Sequence, residues 1–154
     1  MLTGDGDGAT YCVTACAAAW PSPDGTSGGG LYAGGTNGKS SIKLDGPLTI
    51  DAHGAGAPFV GIQAGKNGTV TLPGKVEIVT AGGYAVAAVD GGILNLTKDA
   101  SGSIFDANGK TALYAGNGGQ INVKSVSQIN GDVLAEGENS KISLTLCGND
   151  PLWK

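Results

Sequence analysis

The chain has 154 residues, of which 14% are charged and 29 are glycine, and its formal net charge is −4. Because it contains nine lysines and no arginine, it offers no basic patch for a phosphate backbone, and no nucleic-acid partner is expected. An apolar fraction of 40% argues against disorder, and no apolar run approaches the ~18 residues of a transmembrane helix, so no membrane span is expected in this chain.

Residues 1–29 are predicted to form an N-terminal leader and cap. The stretch YCVTACAAAW places its larger apolar residues at helical spacing, and its alanines favour a helix, so a short helix is expected at 11–20. The preceding GDGDGAT resembles the beginning of a calcium loop but lacks the later oxygen ligands. It is therefore predicted to be an acidic leader, and no metal site is expected.

From residue 30 onward, one short pattern recurs five times: an aliphatic residue, a polar residue and a second aliphatic residue. The copies are Ile42-Lys43-Leu44, Val70-Thr71-Leu72, Leu94-Asn95-Leu96, Ile121-Asn122-Val123 and Ile142-Ser143-Leu144. This alternation is typical of a strand with one buried face. Before four of the copies, a pair containing Gly or Asn ends two residues ahead and predicts a sharp turn, because these residues tolerate a positive φ.

Further short strands are expected between the copies, at PLTI (47), KVEIV (75), SIFDA (103) and VSQI (126). The first aliphatic residues of the copies are 28, 24, 27 and 21 residues apart (70 − 42, 94 − 70, 121 − 94 and 142 − 121). Each period therefore holds about three strands and three corners. The sequence predicts an all-β fold, a right-handed single-stranded parallel β-helix of about 4–5 rungs over residues 30–154, with the N-terminal segment capping its open first rung.

A β-sandwich and a β-propeller are the structural alternatives. A sandwich would require regular hairpin connections, and a propeller blade usually needs about 40 residues. The uneven spacing of the repeats favours a solenoid, whose corners accept insertions without disturbing the stack.

The segments ALYAGNGGQINV and INGDVLAEGENSKISLTL, followed by CGNDPLWK, resemble the passenger region of bacterial autotransporters of the pertactin-like type. The resemblance covers roughly residues 30–154 and rests on the rung pattern, not on a catalytic motif. It implies export through a C-terminal outer-membrane translocator barrel, expected in the full-length protein, and a secreted or bacterial cell-surface location. On this resemblance the chain would be a passenger fragment, acting as an adhesin or host-directed interaction module whose partner is a host cell-surface protein or glycan.

The three cysteines are Cys12, Cys16 and Cys147. Rungs stacked about 4.8 Å apart would put roughly 20 Å between Cys147 and the N-terminal pair, whereas a disulfide needs Cα atoms within about 7 Å. Cys12–Cys16 is therefore the expected bridge, with Cys147 left free or meant for a partner. The alternative is three reduced, buried cysteines.

Residues with catalytic chemistry are few. His53 lies close to Asp51, but its glycine-rich context favours a corner loop over a Ser–His–Asp arrangement. Polysaccharide lyases share the β-helix, yet their chemistry uses clustered acidic residues that bind Ca²⁺ and a basic residue, commonly Arg. This chain has no Arg, and Asp51, Asp90 and Asp106 are expected on different rungs. No enzyme activity, catalytic residue or cofactor is therefore predicted, and a lyase is the least favoured alternative.

Contacts with a partner are expected from corner loops and outward strand residues, because the inward aliphatic residues are used in stacking. The longest insertions between the aligned strands are 45–58 and 97–110. The candidate interaction residues in them are Asp45, Asp51, His53, Lys98, Asp99, Asp106 and Lys110. A structural spacer is the alternative to an interaction module, because the two functions share every sequence feature discussed above.

Overall fold

The structure is a computed structural model that describes residues 11–14, 29–35, 38–44, 46–52, 59–72, 74–80, 82–96, 102–147 and 151–154. Within these ranges the chain forms β-strands and no helix. The strands are β1 (Tyr11–Thr14), β2 (Gly29–Ala33), β3 (Ser40–Lys43), β4 (Leu48–Ala52), β5 (Phe59–Ala64), β6 (Gly68–Leu72), β7 (Val76–Thr80), β8 (Gly83–Val89), β9 (Ile93–Leu96), β10 (Ser103–Gly116), β11 (Gln120–Glu136), β12 (Lys141–Leu146) and β13 (Leu152–Trp153).

The strands pair in parallel and stack as a β-solenoid of about 4 turns, which confirms the predicted fold class. They form three faces. Face A contains β1, β4, β7, residues 103–106 of β10, residues 126–130 of β11, and β13. Face B contains β2, β5, β8, residues 111–116 of β10 and residues 132–136 of β11. Face C contains β3, β6, β9, residues 120–123 of β11, and β12.

The register of face C confirms the strand alignment predicted from the sequence. Ile42 pairs with Val70, Val70 with Leu94, Leu94 with Ile121, and Ile121 with Ile142. The three middle members of this column are fully buried, and the polar residue after each of them lies on the outer side of the strand. Because side chains alternate along a strand, a slip of one residue would turn the whole aliphatic column toward solvent.

Aligned columns of side chains also form the core on the other two faces. On face B one column consists of alanines: Ala33, Ala64, Ala88 and Ala115 are buried, and Ala135 in the last turn is exposed. On face A the matching inward column is larger: Ile50, Ile78, Phe105 and Ile129, all fully buried. Small residues on one face leave room for large ones on another, as the dense packing of a protein interior requires.

Tight turns join face B to face C at the places where the sequence predicted them. Their closing hydrogen bonds run from the amides of Gly68, Gly92 and Gly119 to the carbonyl oxygen three residues earlier, at 2.8, 2.9 and 3.0 Å. A turn residue with positive φ is present in each, and Asn67 (58°) and Asp90 (53°) are examples. Asn and Asp adopt this conformation more readily than other residues with a Cβ atom, which explains the composition of the corner.

The N-terminal strand corrects one sequence-based prediction. Residues 11–14 form β1, which pairs in parallel with β4, so the helix expected at 11–20 is wrong over these four residues. The rest of that segment lies outside the described residues. The sequence Tyr-Cys-Val-Thr is rich in aromatic and β-branched residues, which favour a strand. Pairing with the edge of an existing sheet outweighs the helix propensity of the alanines that follow.

The last turn is less covered than the turns before it. Val133, Ile142, Leu144 and Leu146 are only partly buried against the core. Trp153 in β13 is 53% exposed, and its indole Nε1 donates a hydrogen bond to the Gly131 carbonyl oxygen at 3.0 Å. Because no later strand among the described residues stacks on this turn, its inward side chains keep one side open.

Candidate interaction surface

Polar side chains on the outside of the solenoid are hydrogen-bonded from one turn to the next. Three such bonds join an asparagine amide to a side-chain oxygen of the preceding turn: Asn122 to Asn95 at 2.9 Å, Asn130 to Asp106 at 2.9 Å, and Asn117 to Asp90 at 3.3 Å. The bonds lie on face C, on face A and at the corner between faces B and C. The outer surface is therefore ordered at the spacing of the turns, about 4.8 Å.

The two segments predicted to be insertion loops each contain a strand segment of face A. Residues 48–52 of the first segment belong to β4, and residues 103–110 of the second belong to β10. The prediction of strands at PLTI and SIFDA is thus confirmed, and the interpretation of the same residues as inserted loops is wrong. The spacing between face C strands includes the face A strand of each turn, and an ordinary strand therefore resembles an insertion in the sequence.

Two of the candidate interaction residues share one register column on face A. Asp51 pairs with Val79 of the next turn, and Val79 pairs with Asp106 of the turn after that. The two carboxylates are therefore about 10 Å apart along the axis, too far to act on one atom. The structure brings them onto one face but not into one site.

Asp106 has a local structural role. Its Oδ1 accepts hydrogen bonds from the Asn108 backbone amide at 2.8 Å and from the Asn130 side chain. It thereby holds the corner that follows, where Asn108 has a φ of 52°. Lys110, two residues later, is exposed. The other predicted interaction residues, Asp45, His53, Lys98 and Asp99, lie outside the described residues.

Cys12 and Cys147 lie far apart in the stack. Cys12 belongs to the first strand of face A, and Cys147 follows β12 in the last turn, where its amide bonds the Val126 carbonyl at 2.8 Å. Cys147 is half-buried and is a free thiol. The predicted Cys12–Cys16 bridge lies outside the described part of the chain, which includes neither the Cys12 side chain nor Cys16. In that described part, no three His, Cys, Asp or Glu residues form a group that could hold a metal ion.

An apolar strip runs along the outer side of face B in the C-terminal half of the solenoid. It consists of Tyr84, Tyr114 and Leu134, and we call it the tyrosine strip. Tyr114 lies between the buried Leu113 and Ala115 and therefore points outward. It pairs with Leu134, which is 39% exposed. The rings of Tyr84 and Tyr114 stack with centroids 4.9 Å apart and planes tilted by 33°.

The floor of the strip is made of small residues. Ala87 pairs with Tyr114 and is outward in register, yet it is fully buried, because larger neighbouring side chains close over it. A Cβ atom on Gly116 would lie 2.8 Å from the Tyr114 hydroxyl oxygen. The phenol ring of Tyr114 therefore lies over the backbone of Gly116, and the ring of Tyr84 packs against it.

Polar groups border the strip on both sides. On one side, Tyr84 pairs with Thr111, and Thr111 pairs with Asp132. On the other side, the Tyr114 hydroxyl donates to the Glu136 carboxylate at 3.1 Å. The exposed Lys110 directly precedes Thr111 at the edge of face B. The strip is thus an apolar centre between two borders of hydrogen-bonding groups.

A third outward tyrosine lies at the other end of face B. Tyr32 pairs with Gln63, and its hydroxyl lies over the backbone of Gly34 and Gly65, at 2.5 and 2.9 Å from the positions of their missing Cβ atoms. It is half-buried, as Tyr114 is. The outward residues of the two next turns, Gln63 and Ala87, separate it from Tyr114, so it is not part of the strip.

Sequence reasoning did not single out these tyrosines. The signal was present, because LYAG occurs at 31–34 and again at 113–116, and the alternation within it makes Leu and Ala inward and Tyr outward. What the sequence did not show is that Tyr84, four residues before the inward Ala88 in a long apolar run, reaches the ring of the next turn. That contact depends on the stacking register.

The described residues include no helix with the length and apolar character that a membrane crossing requires. In comparisons with protein-family models, with curated proteins and with solved structures, the chain has no significant match. What is shown is therefore a parallel β-solenoid of about 4 turns built from repeated rungs.

Proposed function

We propose that this chain is a secreted or surface-displayed passenger segment that binds a host cell-surface molecule, as an adhesin or host-directed interaction module. The observation that carries the proposal is the tyrosine strip, an apolar surface on the outside of a fold whose core is already complete without it. An exposed apolar patch bordered by polar groups is a common mark of an interaction site. A spacer would need no such patch.

The architecture supports this role. Stability comes from the inward columns, such as the alanines of face B and the isoleucines of face A, which are buried between successive turns. Outward side chains contribute less to the stack and are therefore available for binding. A surface-exposed location, export through a C-terminal barrel and a bacterial source extend this proposal and rest on the rung pattern alone.

The test is binding of the purified chain to cultured animal cells of several types, measured by flow cytometry with a fluorescent label. We expect saturable binding to at least one cell type, and a loss of about tenfold in apparent affinity for Leu134→Ser. Asn95→Asp, an outward substitution on face C, is the matched control and should bind like the unmodified chain.

A chain that binds none of the cell types would contradict the proposal and favour the structural spacer. Binding that is equally strong in Leu134→Ser would place the contact elsewhere on the solenoid. Release of unsaturated products from acidic polysaccharides would instead support the lyase alternative.

A further inference from the structure

We propose that Asn108 is a deamidation site, where the folded chain slowly converts one asparagine side chain into a carboxylate. The chain has five Asn–Gly pairs, which begin at residues 37, 67, 108, 117 and 130. Glycine after asparagine favours this reaction, because a residue without a Cβ atom lets the backbone bend back onto the side chain. In four of the pairs both residues are described, and the surroundings of one pair differ from those of the other three.

The reaction joins two neighbouring groups of the chain and consumes only solvent water. The backbone nitrogen of Gly109 attacks Cγ of Asn108, so that an N–Cγ bond forms and the Cγ–Nδ2 bond breaks. Nδ2 leaves as ammonia and takes the proton of the Gly109 amide. Water then opens the five-membered imide ring: opening at Cγ gives aspartate, and opening at the backbone carbonyl carbon gives isoaspartate, in which the chain continues through the former side chain.

In three of the pairs, hydrogen bonds hold both reacting groups. The Nδ2 atoms of Asn67, Asn117 and Asn130 donate to the Gly35 carbonyl oxygen, Asp90 Oδ1 and Asp106 Oδ1, at 3.3, 3.3 and 2.9 Å. The amides of the glycines that follow them donate to the Gly65 carbonyl oxygen, Ser140 Oγ and the Lys154 carbonyl oxygen, at 2.8, 3.0 and 2.9 Å. These three glycines are buried or half-buried. Ring closure at such a pair must first break both bonds, which requires a local opening of the fold.

Asn108 and Gly109 form the pair in which both residues are exposed. A Cβ atom on Gly109 would have nothing within 4 Å, and the Asn108 side-chain amide has no hydrogen-bond partner among the described residues. The bond from the Asn108 backbone amide to Asp106 Oδ1 involves neither the side-chain amide nor the Gly109 nitrogen. The two reacting groups can therefore meet without a large opening of the solenoid.

The modification would add a negative charge at the corner between faces A and B. The new carboxylate belongs to the second residue after Asp106, so two carboxylates would share this corner. No residue from 108 to 110 is buried, so the inward columns keep their side chains and the stack should persist. The product is the same solenoid with a more acidic corner.

The experiment incubates the whole chain for several weeks at neutral pH and physiological temperature, and it measures each pair by peptide mapping with mass spectrometry. Trypsin releases residues 99–110 as a peptide in which Asn108 is the only asparagine, and electron-transfer fragmentation distinguishes isoaspartate from aspartate. We expect deamidation at Asn108 to be at least about tenfold faster than at Asn67, Asn117 and Asn130, with isoaspartate among the products. The same incubation in concentrated urea is the control, because unfolding removes the hydrogen bonds and should bring the four rates within about threefold of one another.

Gly109→Ala is the matched variant. Its added Cβ has free space around it but hinders ring closure, so deamidation at Asn108 should slow by about tenfold, while Asn117 in the same digest should react as before. Should this variant fail to fold, as judged by circular dichroism, the comparison of the four pairs in the unmodified chain carries the test. Equal rates at the four pairs of the folded chain, a faster reaction at any of the other three, or aspartate without isoaspartate at Asn108 would overturn the inference.

Discussion

Leu96 and Asn95 are neighbours in the sequence, but they point to opposite sides of face C. Leu96 is fully buried, whereas the Asn95 side chain lies outside and accepts a hydrogen bond from Asn122. Leu96→Asp would put a charge into the core without a partner and should lower the free energy of unfolding by about 3 kcal/mol or more. Asn95→Asp keeps the accepting oxygen and should change it by less than about 0.5 kcal/mol.

Urea denaturation followed by circular dichroism measures both variants. The comparison depends on the strand register alone, since the two positions share the same strand and turn. Equal losses of stability in the two variants would show that the register on face C is wrong.

Gly92 shows how closely the backbone of one turn approaches the next. A Cβ atom at this position would lie 2.1 Å from the carbonyl oxygen of Ala64 in the preceding turn. Gly92→Ala should therefore force the two turns apart and lower the free energy of unfolding by about 2 kcal/mol. Gly38→Ala is the control, because nothing lies within 4 Å of its added Cβ, and it should be close to neutral. The melting temperatures of the two variants would be compared; a stable Gly92→Ala would mean that the turns are not in such close contact.

Single strands differ in how well the sequence predicts them. The face C strands could be placed to the residue, because one buried side produces a strict alternation that repeats five times. The strand YAVAAV of face B lacks that alternation, since Ala87 is buried on the outer side by neighbouring side chains, and period alone does not distinguish such a run from a helix. At residues 11–14, the alanines that follow favoured a helix in the prediction, whereas the structure has strand β1.

The positions of β1 and of the last turn lead to a prediction about the thiols of Cys12 and Cys147. They lie at opposite ends of the stack, so a bridge between Cys12 and Cys147 would have to span several rungs, far beyond the reach of a disulfide. Peptide mapping without reduction should find Cys147 open to alkylation and Cys12 joined to Cys16. An intramolecular crosslink to Cys147 would contradict the extended stack.

At the level of the whole molecule, the sequence predicted the solenoid but not its binding surface. Stacking requires the same kind of residue at the same inward position of every turn, so the fold produces a periodic pattern in the sequence. The outward positions obey no such requirement. Tyr114 and Leu134 occupy one column with Gln63 and Ala87, and nothing in the repeat indicates which of these side chains will meet a partner.

The hydrogen bonds between successive turns have a mechanical consequence. They run along the axis of the solenoid, so a force that pulls its two ends apart acts on them directly and opens the turns singly from an end. The turn from Ile62 to Val86 contains 24 residues (86 − 62), and at about 3.4 Å per residue it would lengthen from about 4.8 Å to about 80 Å once opened. Under a pulling force the solenoid would therefore lengthen in steps of one turn, while the remaining turns stay folded.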